Sequence, residues 1–289
     1  MFSSYSGWQL DNSSGTNFRT FFACSRNVSV SIKYFSTGAK RALRILLNAF
    51  WSGYEVLAMV FGLGGLAVIC LLGLPFAFLF LILTERRRVL LGRRAIAHSF
   101  SIYLWYLRLF FFVRIDCSEL RAIQNTRPLI VVANHPSLLD AVILLSRLPY
   151  ALCVMKAKLK NNILFGIAAR VSGYISNESP KDLVQQACND LAKGAHLLIF
   201  PEGTRTTQQP VNPFGKTTAL IALRSGVAIQ TVFIDFGSPY LGKSWPLFRK
   251  PILPLRISVK LGEKFDPSSD IAGLTEKMES YYRQQLVSK

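Results

Sequence analysis

The sequence is short of acid. Asp and Glu number 16 against 34 Lys and Arg, a formal charge of +18 on 289 residues. Such an excess favours anionic partners, either nucleic acid or the anionic leaflet of a membrane. Charge of either sign is also scarce, at 17% where a soluble domain carries about 25%. Beside 51% hydrophobic residues, that balance points to a membrane and away from nucleic acid. The five cysteines (Cys24, Cys70, Cys117, Cys153, Cys188) are scattered, odd in number and never spaced C-x-x-C. Neither a disulfide framework nor a zinc site is indicated, and small buried hydrophobes in a reducing compartment are expected. No G-x-S-x-G elbow occurs, which argues against a serine hydrolase. Gly62-Leu63-Gly64-Gly65 lies inside an apolar run and lacks the rest of a dinucleotide fingerprint. No internal repeat is visible.

What is present divides into three parts. Residues 1–40, rich in Ser, Asn and Thr, read as a poorly ordered tail without an apolar core of signal-peptide type. Residues 41–115 read as membrane-associating helices. From Val56 to Thr84 no residue is charged, and about 20 apolar residues suffice to cross a bilayer as a helix. Either one tilted span or a re-entrant helical hairpin, broken near Gly73-Leu74-Pro75, fits this stretch. Arg41 and Arg44 precede it, and Arg86, Arg87, Arg88, Arg93 and Arg94 follow. A single span leaves its excess Lys and Arg on one side, so charge at both ends favours the hairpin. Residues 95–113 are aromatic-rich with one charge, Arg108, and suit either the bilayer interface or a helix packed on the following domain.

Residues 116–289 alternate between two kinds of segment. The runs 128–133, 151–156, 196–200, 228–234 and 253–261 read as strands, the first four apolar enough to be buried on both faces of a sheet. Helices are expected between them. One opens with Ser179 as N-cap and Pro180 at its first position, with Leu183, Ala187 and Leu191 on one face. Another covers Lys216 to Arg224, and the last runs from about Asp270, with Ile271, Leu274, Met278, Tyr281 and Leu286 as its stripe. This pattern predicts a three-layer α/β domain around a mixed, largely parallel sheet.

Two polar clusters follow buried strands directly. In Asn134-His135-Pro136-Ser137-Leu138-Leu139-Asp140, Pro136 suggests that a helix starts there, with Asp140 one turn in and able to turn back to His135. A carboxylate on one imidazole nitrogen fixes the tautomer and leaves the other nitrogen to accept a proton. Taken alone, this spacing equally suits a histidine that caps a helix. In Phe200-Pro201-Glu202-Gly203-Thr204-Arg205, Gly203 permits close backbone approach and Arg205 offers forked donors for a phosphate or carboxylate.

Together, N-H-x-x-x-x-D and F-P-E-G-T-R some sixty residues later resemble the glycerolipid acyltransferase family that includes the lysophosphatidate acyltransferases. The likeness runs from about Leu129 to Leu261. It implies an enzyme moving a fatty acyl group from acyl-CoA or acyl carrier protein to a lipid hydroxyl, with His135 as base and Asp140 as its orienting carboxylate. It also implies that Asn134, Lys156, Glu202, Gly203, Thr204 and Arg205 bind substrate. Membrane lipids are then partners, nucleic acid is not, and no metal or organic cofactor is required. The expected location is the cytoplasmic membrane, with the catalytic domain facing the cytoplasm. The family's middle motif is only partly present. Lys156, Leu159, Phe165, Gly166 and Gly173 match, but Ile163 replaces a proline, and Ser179 falls near where an arginine would grip the acceptor phosphate. NHPSLLD with VMKAKL and GYISN is similar to acyltransferases of bacterial aryl-polyene and related lipid pathways. The resemblance therefore leaves two acceptors open, a lysophospholipid and a lipid without a phosphate monoester such as an aryl-polyene or ornithine lipid. A basic membrane-anchored binding protein without catalysis explains the charge but not two polar clusters placed just after buried strands.

Overall fold

The structure, a computed structural model, describes residues 37–80, 82–126, 128–159, 162, 166–246 and 249–287. The tail expected over 1–40 lies almost wholly outside the described residues. The chain divides into two units, 1–52 and 53–289. The described part of the first is the beginning of a long helix, α1 (Thr37–Phe80).

In the second unit α1 continues without a break through Gly73-Leu74-Pro75. The break expected there is therefore absent: a proline removes one backbone donor, and one missing bond does not end an otherwise apolar helix. The chain turns instead at Ile82–Leu83, where their amides donate to the carbonyls of Leu79 and Phe80. Helix α2 (Glu85–Phe110) then returns antiparallel along α1. Tyr103 Oη donates to Gly62 O at 2.9 Å, and Tyr54 Oη donates to Phe110 O. A hairpin is present, but its second arm is the basic and aromatic segment. Within α1, Arg41–Gly73 has a mean hydropathy of 2.5, long and apolar enough to cross a membrane. Val56, Leu57, Val60, Phe61, Val68 and Leu72 lie exposed along it.

The remaining elements are β1 (Arg114–Asp116), β2 (Leu129–Ala133), α3 (Leu139–Arg147), β3 (Ala151–Met155), α4 (Gly166–Val171), β4 (Ile175–Ser176), α5 (Pro180–Ala192), β5 (His196–Ile199), α6 (Thr217–Ser225), β6 (Ile229–Phe236), β7 (Arg256–Phe265) and α7 (Ile271–Val287). Among the described residues the strands form one sheet in the order β1-β7-β6-β2-β5-β3-β4. Only β6 and β7 pair antiparallel, so β1 and β7 run against the other five. The mixed, largely parallel sheet expected from the sequence is found.

Alternate strand residues enter two separate cores, which accounts for the uninterrupted apolar runs. Val131, Ala133, Cys153, Leu198 and Val232 face α3 and the hairpin. Ile130, Val132, Leu152, Leu197 and Phe233 face α5, α6 and α7. Helix α5 starts as expected, with Ser179 Oγ accepting from the Asp182 amide at 3.3 Å and Pro180 at its first position. On α7 the fully buried ring is Tyr282, next to the expected Tyr281; its hydroxyl donates to Val132 O at 2.8 Å. Gly92 lets α2 approach α4 closely, since a Cβ there would stand 2.8 Å from Val171 Cγ1.

Candidate active site

Strand β2 has β6 on one side and β5 on the other, so the connection from β5 to β6 passes across it. Ligands of open α/β sheets bind at such switch points, beyond the carboxyl ends of the strands. Val132 pairs with Ile199 across β2 and β5. Three residues past each lie His135 and Glu202, so the parallel register alone brings the two polar clusters level.

The loop after β2 is more constrained than its sequence suggests. Asn134 is buried, and its side chain exchanges two 2.8 Å hydrogen bonds with the backbone of Ile234, Nδ2 donating to the carbonyl and Oδ1 accepting from the amide. It prolongs the ladder to β6. The His135 amide donates to Glu202 Oε1 at 2.9 Å, and its carbonyl accepts from the Thr206 amide at 2.7 Å. These bonds hold the backbone away from helical geometry. Helix α3 accordingly begins at Leu139, three residues after the expected Pro136. Asp140 then lies in the first turn, where its Oδ2 accepts from the Ser137 amide at 2.7 Å.

The same Oδ2 stands 2.9 Å from His135 Nδ1. Asp140 is fully buried, and Oδ1 has no hydrogen-bond partner among the described residues. Burial therefore pushes its carboxyl up to about 6, against the opposing pull of His135 and the Ser137 amide. The imidazole stacks on Phe200, with ring centres 4.1 Å apart and planes 20° from parallel. Its side chain is 18% exposed. With Nδ1 on the carboxylate and one ring face covered, the exposed part includes the Nε2 edge, which makes no hydrogen bond among the described residues.

Glu202 is 9% exposed and fully engaged. Oε1 also accepts from Thr206 Oγ1 at 2.9 Å, and Oε2 accepts from the Asn212 amide at 2.9 Å. Gly203 has φ +64°, which closes the turn that donates its amide to Phe200 O at 3.0 Å. Thr204 Oγ1 accepts from Lys156 Nζ at 3.2 Å, joining the loops after β5 and β3. Arg205 Nη1 donates to the carbonyls of Leu241 and Gly242 at 2.8 and 2.9 Å, pinning the segment after β6 over the site. The same Leu241 carbonyl accepts from the Leu138 amide.

Of the middle segment, Ile163 and Phe165 lie outside the described residues. Ser179 lines a 310 Å³ cavity with Arg170, Tyr174, Ser176, Glu178 and Asp182, beside the carboxyl ends of β3 and β4. Among the described residues no three His, Cys, Asp or Glu side chains are placed to share a metal ion. Two contributors were not foreseen as site residues. Phe200 opens the second motif but carries no role of its own in the sequence. Asn212, whose Oδ1 accepts from the Thr207 and Gln208 amides at 3.0 Å, sits in a loop without a sequence signal.

Residues 114–235, which hold every one of these clusters, match the family described as Acyltransferase. This stretch of the chain is similar to that family. The 1-acyl-sn-glycerol-3-phosphate acyltransferase beta of Homo sapiens is 30% identical over 156 residues, 49% of this chain and 55% of that protein. The lyso-ornithine lipid O-acyltransferase of Pseudomonas aeruginosa is 32% identical over 114 residues, 38% of this chain and 44% of that protein. The chain thus spans about half the length of these curated relatives. The crystal structure of the 1-acyl-sn-glycerophosphate (LPA) acyltransferase from Thermotoga maritima superposes with a TM-score of 0.63 over 81% of this chain and 94% of that one. At 21% identity that likeness establishes the fold alone.

Proposed function

We propose that the chain is a membrane-bound O-acyltransferase that moves a fatty acyl group from acyl-CoA or acyl carrier protein to a hydroxyl of a lysophospholipid or related lipid. The observation that carries this reading is the 2.9 Å contact between His135 Nδ1 and a buried carboxylate, with Nε2 making no hydrogen bond among the described residues. Nε2 takes the proton of the acceptor hydroxyl as that oxygen attacks the thioester carbonyl. The tetrahedral adduct collapses with cleavage of the C–S bond, and the imidazolium returns its proton to the departing thiolate. Asp140 holds the reactive tautomer and stabilises the imidazolium between the two transfers. The apolar stretch of α1 and the net charge of +18 support attachment to an anionic membrane surface. We place that surface at the cytoplasmic membrane, with the catalytic domain on its cytoplasmic side. The test is stoichiometric release of free thiol from acyl-CoA, dependent on added lysolipid. Thiol release without acylated product would mark a thioesterase and contradict the reading.

One observation favours a narrower acceptor class. Near the place of the family's phosphate-gripping arginine, Ser179 caps α5, and the adjoining cavity mixes Arg170 with Glu178 and Asp182. That lining suits a headgroup carrying positive as well as negative charge better than a phosphate monoester, which supports acceptors of the amino-acid or other non-phosphate lipid class. Acylation of lysophosphatidate above all such acceptors, in a competition with one labelled thioester, would exclude it.

A further inference from the structure

The resemblance places Glu202 among the acceptor-binding residues, but the geometry points to a different role. We infer that Glu202 and Phe200 are positioning residues for His135, and that the acceptor makes no bond to Glu202. The inference rests on the transferase reading above and assigns the work of this motif within it.

Glu202 has little capacity left for a substrate. Its two oxygens accept three hydrogen bonds, from the His135 amide, Thr206 Oγ1 and the Asn212 amide, all at 2.9 Å. A carboxylate removed from water and held by two backbone amides and a hydroxyl is a fixed part of the framework, because a ligand that displaced any donor would leave it unpaired. The donors span two loops. Two lie in the loop after β5 that carries Glu202 itself, and the third is the residue that bears the reactive imidazole.

The effect on His135 is to fix each of its degrees of freedom from outside its own loop. Its amide is held by Glu202, and its carbonyl by the Thr206 amide at 2.7 Å. One ring face lies against Phe200 at 4.1 Å, and Nδ1 is held by Asp140. Backbone position, ring plane and tautomer are thus set by four separate residues, and Nε2 is the remaining direction for chemistry. The stack also withholds water from one face of the ring. A Phe-Pro-Glu turn directly after β5 is needed for this, since the parallel register brings Phe200 level with Ala133 and Glu202 level with His135.

The test uses the full-length chain in vesicles, with acyl-CoA at saturation and the acceptor varied. Glu202→Gln keeps the size of the side chain but opposes an amide NH₂ to one of the three donors. It is expected to lower kcat about 10- to 100-fold, as ångström-scale misplacement of a base does, with the acceptor KM within twofold of the parent. A large rise in acceptor KM at unchanged kcat would overturn the assignment and return Glu202 to acceptor binding. Thr206→Val removes one donor to Oε1 while leaving Glu202 in place. It should reproduce a smaller kcat loss, again without a KM effect; an unaltered kcat would contradict the inference. Phe200→Tyr should retain the stack and the parent kcat, whereas Phe200→Leu should lower kcat with the acceptor KM unchanged. Equal kcat for the two would remove Phe200 from the account. Residual thiol release by each variant separates failure of positioning from failure of the transferase reading.

Discussion

Asp140→Asn distinguishes what a carboxylate does here from what an amide can do. A single oxygen, Oδ2, accepts both from Ser137 N at 2.7 Å and from His135 Nδ1 at 2.9 Å. The other oxygen is buried without a partner among the described residues. An asparagine can therefore place its carbonyl at the Oδ2 position, keep both bonds and hold the reactive tautomer, with its NH₂ in the unpartnered place. What it loses is the negative charge that stabilises the imidazolium. A hydrogen bond to a charged group contributes about 1.5–3 kcal/mol, and each ~1.36 kcal/mol is a factor of ten in rate. The expected fall in kcat is thus about 10- to 150-fold, well short of the roughly 10⁴-fold penalty of a wrong tautomer.

Stability should move the other way. Burial raises the Asp140 carboxyl to about 6, so ionisation is disfavoured in the folded protein. The associated destabilisation is absent below the unfolded value, grows as pH rises through about 6 and is complete at pH 8. Relative to an ordinary carboxyl near 3.8, that costs about 3 kcal/mol. Asp140→Asn should consequently raise the thermal midpoint at pH 8 and have little effect near pH 4. The assays are steady-state acyl transfer and thermal unfolding at both pH values. Loss of activity beyond about 10⁴-fold, or a lower midpoint at pH 8, would refute the reasoning.

Two further outcomes are expected. Ser179→Arg should improve use of lysophosphatidate relative to a neutral or amino-acid lysolipid, because it adds a forked donor to the cavity beside β4; the two acceptors are compared in competition with one labelled thioester. Deleting residues 56–84, which removes the whole uncharged run, should release much of the protein from carbonate-washed membranes, as measured by fractionation, and full retention would overturn the anchor.

The sheet could be read from the sequence because strands buried on both faces leave continuous apolar runs, as in Leu129–Ala133 and His196–Ile199. β1 and β4 escaped notice because three and two residues carry no periodicity. The start of α3 was misplaced for a tertiary reason: the backbone bonds of His135 go to residues of the loop after β5, which no local rule supplies. Similarly, Asn134 reads as a site residue by adjacency to His135, yet its partner Ile234 is a hundred positions away and makes it part of the sheet. His135 and Asp140 were legible as a pair because a helix turn brings them together locally. The work of Phe200, Glu202 and Asn212 was not, because it depends on strand register and on loop hydrogen bonds.

The central claim is that His135 is the base of an acyl transfer to a lipid hydroxyl. The most direct measurement follows, by mass spectrometry, the acylated product formed from acyl-CoA and a lysolipid by purified parent and His135→Ala protein, each shown to be folded. Removing a general base typically costs about 10²–10⁴-fold. The account predicts product that scales with the parent enzyme and a loss of at least about 10²-fold in the variant; near-normal acylation by folded His135→Ala protein would contradict it.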